Sequence, residues 1–177
     1  MILDLCGGSG AWSKPYSNAG YEVLVVDTLN GLDVRGFVPP SEVHGVLASP
    51  PCTEFAASGA AWWRNKPTHL LEDAVEVVFE CLRIITESNP VWWALENPVG
   101  RLIRFIGPWD YTFNPCDYGD PYTKRTLIWG DHIKPIKTPV PPTEGSKMLR
   151  LGPSKDRVAL RSVTPSGFAQ AFFEANP

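Results

Sequence analysis

The sequence predicts a doubly wound α/β domain with a mostly parallel sheet, and three observations carry that prediction. Short apolar runs at residues 2–5, 22–27, 46–48 and 91–95 alternate with stretches of helical spacing. The first run ends in Gly7-Gly8-Ser9-Gly10, a turn-forming cluster between a strand and a helix. The second run is rich in β-branched residues, as suits a parallel strand covered on both faces.

Taken in order, Ile2-Leu3-Asp4-Leu5 forms a strand that passes through the glycine turn into a helix over 11–19, stopped by Gly20. Glu22-Val23-Leu24-Val25-Val26-Asp27 is the second strand. Val46-Leu47-Ala48 is the third, ended by Ser49-Pro50-Pro51, because proline fixes φ and has no N–H for a ladder. Leu71, Ala74, Val75, Val78, Leu82 and Ile85 recur at helical spacing among charged residues, which predicts a crossover helix over 70–86. Val91-Trp92-Trp93-Ala94-Leu95 is the fourth strand, with right-handed crossovers throughout. Beyond Arg101 the texture changes. Strands are expected at 111–113 and 125–129, an irregular stretch at 135–153, and a last helix at 166–175 after the capping-like Thr164-Pro165.

A chain of 177 residues suits one domain with its own hydrophobic core. No apolar run is long enough to span a bilayer. The N-terminal segment enters a strand at once without a basic region, so no secretory signal is expected. Cys6, Cys52, Cys81 and Cys116 are widely spaced and form no CxxC pair. That argues against a zinc site or a disulfide framework; the expectation is a cytoplasmic protein with no metal. The net charge of −3 hides an asymmetry: residues 124–177 hold nine Lys/Arg against four Asp/Glu, and residues 1–123 hold seven against fifteen. A basic face formed by Lys124, Arg125, Lys134, Lys137, Lys147, Arg150, Lys155, Arg157 and Arg161 is expected, either to meet an acidic partner or as a solvated surface.

Three constellations bear on chemistry. Asp4-Leu5-Cys6-Gly7-Gly8-Ser9-Gly10 lies where Rossmann-type folds bind a nucleoside, and its glycines let a ligand approach the backbone. The dinucleotide fingerprint GxGxxG is absent. Asp27 is placed to accept from ribose hydroxyls, and Asp33 to take an adenine amino group. Ser49-Pro50-Pro51-Cys52 follows the third strand and holds a cysteine out of the core. The small residues after it, through Gly59, suggest a mobile loop. Trp62-Trp63-Arg64 in that loop offer flat faces and a charge, or simple packing. Leu95-Glu96-Asn97-Pro98 ends the fourth strand and delivers Glu96 to the same crevice, where partial burial raises its pKa toward that of a proton donor.

On these residues the chain resembles the cytosine-C5 DNA methyltransferases, most of all the small phage and prophage type without a large target-recognition domain. Asp4 to Gly10 resembles the family's DLFxGxG cofactor motif, with Cys6 in place of Phe. Asp33-Val34 resembles its acidic adenine-binding motif. Pro51-Cys52 matches the catalytic PC, and Ala94-Leu95-Glu96-Asn97-Pro98-Val99-Gly100 its LENVxG run. Tyr122-Thr123-Lys124-Arg125-Thr126 lies where the family has QxRxR, with Lys124 and Thr126 in the two arginine positions. Arg161-Ser162-Val163-Thr164-Pro165 resembles RxLTPRE without its acidic end.

The resemblance implies a Rossmann-like, S-adenosylmethionine-dependent methyltransferase fold: one catalytic domain over 1–177, with 131–160 a short insert in place of a recognition domain. It implies transfer of a methyl group from S-adenosylmethionine to C5 of cytosine, leaving S-adenosylhomocysteine. Cys52, Glu96, Asn97 and Arg125 are the expected catalytic residues. Asp4, Cys6, Gly8, Gly10, Asp27, Asp33, Val34 and Pro50 are expected to hold the cofactor, and Ser58, Arg64, Lys124 and Arg125 the nucleic acid. DNA is the expected partner, with a possible protein partner for sequence recognition and a setting in a bacterial or phage-infected cell, as in restriction-modification. An RNA or nucleotide substrate stays open, as does a non-catalytic relic that binds nucleic acid.

Overall fold

The computed structural model describes residues 1–147, 150–152 and 157–177, with residues 157–159 described by backbone alone. Lys155 of the expected basic face lies outside the described residues, and so does part of the 131–160 insert.

Strands β1 (Ile2–Leu5), β2 (Val23–Val26), β3 (Gly45–Ala48) and β4 (Trp92–Pro98) run parallel, while β5 (Tyr111–Phe113) and β6 (Thr126–Asp131) pair antiparallel to their neighbours. The sheet order is β2-β1-β3-β4-β6-β5. The parallel ladders end together: Leu5 pairs with Val26 and Ala48, and Ala48 pairs with Leu95. This common edge is where residues following the strands collect, as in other open α/β sheets.

Helices cover both faces. On one, α2 (Thr68–Ser88) packs Val77, Val78, Cys81 and Ile84 onto Leu3, Leu5, Val46, Ala48 and Leu95. On the other, Trp12 and Tyr16 near α1 (Lys14–Asn18) and Phe168 and Phe172 of α5 (Ser166–Ala175) cover Ile2, Leu47, Trp92, Ala94 and Ile128. Short helices α3 (Ile103–Ile106) and α4 (Arg157–Ser162) complete the chain.

The structure adjusts four expectations. Helix α1 begins at Lys14 rather than 11, because the glycine turn continues through Ser13 and Pro15 suits the first helical turn. Strand β2 is the sheet edge, so its run is only partly covered rather than buried on both faces. Strand β4 continues to Pro98 because β6 pairs with it through Thr126, and β6 in turn begins after Arg125. No side-chain cap opens α5; Pro165 occupies its N-cap position. The described part of 135–153 carries no α-helix and no strand.

Candidate active site

The turn after β1 is built on left-handed backbone at Cys6 (φ 55°), Gly8 (φ 54°) and Gly10 (φ 68°). Cys6 N–H donates to the Val26 carbonyl at 2.8 Å, which closes the turn against the end of β2. A side chain on Gly7 would fall on the Asp4 carboxyl group, so glycine is required there. Asp4 is fully buried and accepts from Ser13 Oγ at 2.6 Å; its Oδ1 has no hydrogen-bond partner. Burial is the main reason that its pKa is pushed up to about 6. Asp4 therefore sits beneath the turn. A Cβ built on Gly8 meets no atom within 4 Å, so the turn's outer face is open to a ligand.

Asp27 joins the turn to β2: Oδ2 accepts from Gly8 N–H at 2.8 Å and Oδ1 from Leu29 N–H at 2.9 Å. A carboxylate has lone pairs left for ribose hydroxyls after both bonds. Asp33 is ion-paired with Arg35 at 2.9 Å, which also reaches Asp73 of α2 at 2.7 Å. The Arg35 hydrogen bonds hold the Asp33 carboxyl below its ordinary range. Val34 is buried in the core beside it.

On the next strand, Ser49 N–H donates to the Leu5 carbonyl at 2.9 Å, continuing the ladder past β3. Pro50 is buried, and its carbonyl accepts from Asn97 Nδ2 at 3.0 Å. Asn97 is itself 1% exposed, so it braces the proline turn from beneath. The Phe55 and Ala56 N–H groups both donate to the Cys52 carbonyl, winding the chain back at the half-buried Cys52. Glu96, one residue past the last β3–β4 pair, is also half-buried.

Charge connects these groups. Burial pushes the Cys52 thiol up, and the Glu96 carboxylate pushes it the same way, while Lys124 and Arg161 pull it down. Burial likewise pushes the Glu96 carboxyl up, opposed by Lys124. Lys124 stands two residues before β6, whose first residue pairs with Pro98, and this brings it to the Glu96 side of the site. Its Nζ donates to the Val163 carbonyl at 3.4 Å. Arg161 Nη2 donates to Ser58 Oγ at 3.4 Å. Arg125 and Arg64 are exposed. The structure thus gathers Cys52, Glu96, Lys124 and Arg161, with Asn97 and Ser58 as supports.

The segment after Cys52, expected to be mobile, is anchored on both sides. Ala56 bridges Gly100, Ala57 N–H donates to the Val99 carbonyl at 2.8 Å, and Arg101 N–H donates to the Phe55 carbonyl at 2.8 Å. The buried Glu54 carboxylate takes Lys66 at 2.6 Å, and Arg101 Nε donates to the Glu54 carbonyl at 2.7 Å. The Arg101 guanidinium lies 4.4 Å from the Trp63 ring centroid, so Trp63 packs while Trp62 is 67% exposed. Glu54, Lys66 and Arg101 escape sequence reasoning, because their pairing links positions 12 and 47 residues apart with no local pattern. Arg161 was visible as one member of a basic stretch and as the first residue of the RxLTPRE-like run, with nothing local to tie it to Ser58. Among the described residues, no group of three or more His, Cys, Asp or Glu is placed to hold a metal ion, and no helix is long and apolar enough to cross a membrane.

No family model matches the chain. A candidate type II methyltransferase of Methanocaldococcus jannaschii is 25% identical over 124 residues, 62% of this chain and 34% of that protein. The type II methyltransferase M.SacI of Streptomyces achromogenes is 24% identical over 123 residues, 60% of this chain and 31% of that one. M.DdeI of Desulfomicrobium norvegicum is 22% identical over 172 residues, 72% of this chain and 39% of that one. The chain therefore spans well under half the length of the curated relatives it matches. Among solved structures, a candidate DNA modification methyltransferase encoded within an Escherichia coli prophage superposes with a TM-score of 0.51 at 17% identity. The match covers 88% of this chain and 49% of that one. The doubly wound sheet is a Rossmann-like methyltransferase fold.

Proposed function

We propose that the chain transfers a methyl group from S-adenosylmethionine to C5 of cytosine in DNA. The observation that carries this reading is the convergence of Cys52 and Glu96, close enough for the Glu96 charge to act on the thiol, at the edge where the parallel strands end. The similarity to type II methyltransferases supports DNA as the substrate.

The open outer face of Gly8, the Asp27 carboxylate and the Asp33–Val34 segment suit a nucleoside, and these residues would hold S-adenosylmethionine. Once bound, it supplies a methyl group on a positively charged sulfur. The chain's own residues do the rest. A cytosine must leave its stack for C5 and C6 to be reached. The Cys52 thiolate then adds to C6, the step that needs thiolate rather than thiol. Glu96, whose hold on its proton is strengthened by burial, gives that proton to N3, so that the C5=C6 π pair displaced as the C6–S bond forms is held as an enamine nucleophilic at C5. After C5 is methylated, its proton passes to solvent, C5=C6 re-forms as the C6–S pair leaves with the sulfur, and N3 returns its proton to Glu96, restoring the aromatic ring and the thiolate. Lys124 offsets the charge on both groups. Asn97, through Pro50, holds the turn that presents the sulfur.

The test is covalent trapping. Duplex DNA containing 5-fluorocytosine is incubated with the protein and S-adenosylmethionine, then run on a denaturing gel and analysed by mass spectrometry. Fluorine at C5 cannot leave as a proton does, so the adduct on Cys52 persists. A shifted band that disappears in Cys52→Ala is the expected result. No adduct with DNA, alongside an adduct with 5-fluorocytosine RNA or nucleotide, would overturn the DNA assignment. No adduct with any of them would overturn the Cys52 chemistry.

A further inference from the structure

Segment 161–163 joins two parts of the site that are far apart in sequence. On one side, Arg161 Nη2 reaches Ser58 Oγ at 3.4 Å, in the stretch that follows Cys52. On the other, the Val163 carbonyl accepts from Lys124 Nζ at 3.4 Å. Ser58 sits at the start of the 3₁₀ stretch Ala57–Asn65, itself tied down by the Ala56–Gly100 bridge and by the Gly59 N–H bond to the Ala56 carbonyl. The two cations thus approach the thiol from separate elements, Lys124 from the entry to β6 and Arg161 from the last turn of α4. We propose that Arg161 is a positioning residue of this site: it latches the end of α4 onto the loop after Cys52 and, with Lys124, sets positive charge facing the sulfur.

Among the described residues, charge acts on Cys52 from Glu96 of β4, Lys124 before β6 and Arg161 of α4. Burial and Glu96 both oppose the thiolate, and Lys124, Arg161 and a backbone hydrogen bond at Cys52 favour it. Arg125, the conspicuous arginine beside Lys124, is exposed. A guanidinium suits the task because it stays charged at any working pH and can donate to Ser58 while its charge faces the site.

The inference rests on the reading of Cys52 as nucleophile, but its test needs neither DNA nor methyl transfer. Iodoacetamide alkylation of Cys52 is followed by peptide mass spectrometry from pH 6 to 10, which separates it from the other three cysteines. Arg161→Gln should slow Cys52 alkylation at pH 7.5 by about three- to tenfold and move the pH–rate midpoint upward. Arg161→Lys, which keeps a charge, should recover most of that loss. Hydrogen exchange across residues 53–59 should rise in Arg161→Gln and in Ser58→Ala, a surface substitution that removes the latch's acceptor and leaves the charge. A superimposable pH–rate profile for Arg161→Gln, or a Lys variant no better than Gln, overturns the electrostatic role. Unchanged exchange in both Gln and Ala variants overturns the latch. Failure of 5-fluorocytosine trapping in the wild type would strike the methyl-transfer reading and leave the alkylation result standing.

Discussion

Burial raises the Cys52 thiol and the Glu96 carboxyl alike, and the Glu96 anion raises the thiol further. The two protons are therefore linked. When Glu96 holds its proton, the anion that opposes the thiolate is gone, while burial still opposes it and Lys124 and Arg161 still favour it. That combination of neutral acid and charged sulfur is the protonation state that the proposed addition to C6 and proton delivery to N3 would require. A Glu96→Gln variant separates the two effects. It should speed Cys52 alkylation near neutral pH, because the opposing charge is removed. It should also lower methyl transfer about 10²–10⁴-fold, because the amide has no proton to give. Slower alkylation in this variant would contradict the linkage. The sign follows from the site: the thiol gains thiolate character at lower pH in the variant than in the wild type.

At the level of elements, the site depends on how the stretch after Cys52 is joined to the end of β4. Gly100 is the tightest point of that junction, since a Cβ there would fall on the Phe55 carbonyl oxygen. Backbone has no rotamer with which to yield, so Gly100→Ala must push the Phe55–Ala56 segment away and break the Ala56 bridge and the Arg101–Phe55 bond. A cost of about 1–3 kcal/mol is expected, in the range of overpacking a filled core, measured by urea denaturation. Exchange protection should fall around Cys52 rather than in β1. Wild-type stability in Gly100→Ala would show that the junction is looser than its contacts require. Glu54 gives the same segment an electrostatic anchor: it is buried and paired with Lys66 at 2.6 Å and with Arg101 at 3.9 Å, so removing Lys66 would leave a buried carboxylate on its longer contact to Arg101.

Across the whole molecule, a six-stranded sheet covered by helices on both faces organises the described chain. The relatives are far longer, the matches taking in 31% to 39% of their lengths. We expect binding by this chain to lean on phosphate contacts from its basic C-terminal third. Part of that charge is already committed locally: Lys137 pairs with Asp117 at 3.2 Å, Lys147 pairs with Glu144 at 2.6 Å, and Arg150 donates to the Glu144 carbonyl. Lys124, Arg125 and Lys134 carry no ion pair among the described residues. DNA affinity should therefore fall with salt along a modest slope, about −3 in log–log terms if some three phosphates are neutralised. A flat response would show the basic face to be solvated surface, and a slope much steeper than this would mean that the local pairs open on binding.

The sequence by itself determined the strand–helix alternation, the glycine turn, the long amphipathic helix and the positions of Cys52 and Glu96 at the ends of strands. These follow from periodicity and from where glycine and proline interrupt it, which are local properties of the chain. Only the tertiary structure decided that β2 is an edge and that β4 runs on to Pro98, because strand order and pairing are set by contacts between distant segments. It also decided that Asn97 braces Pro50 and that the loop after Cys52 is tied to Gly100 and Arg101. It likewise placed Lys124 and Arg161, from separate elements, where their charge acts on the thiol. An exposed arginine and a half-buried one look alike in sequence, and what separates them is the register of β6 on β4 and the docking of the α4 end beside Ser58.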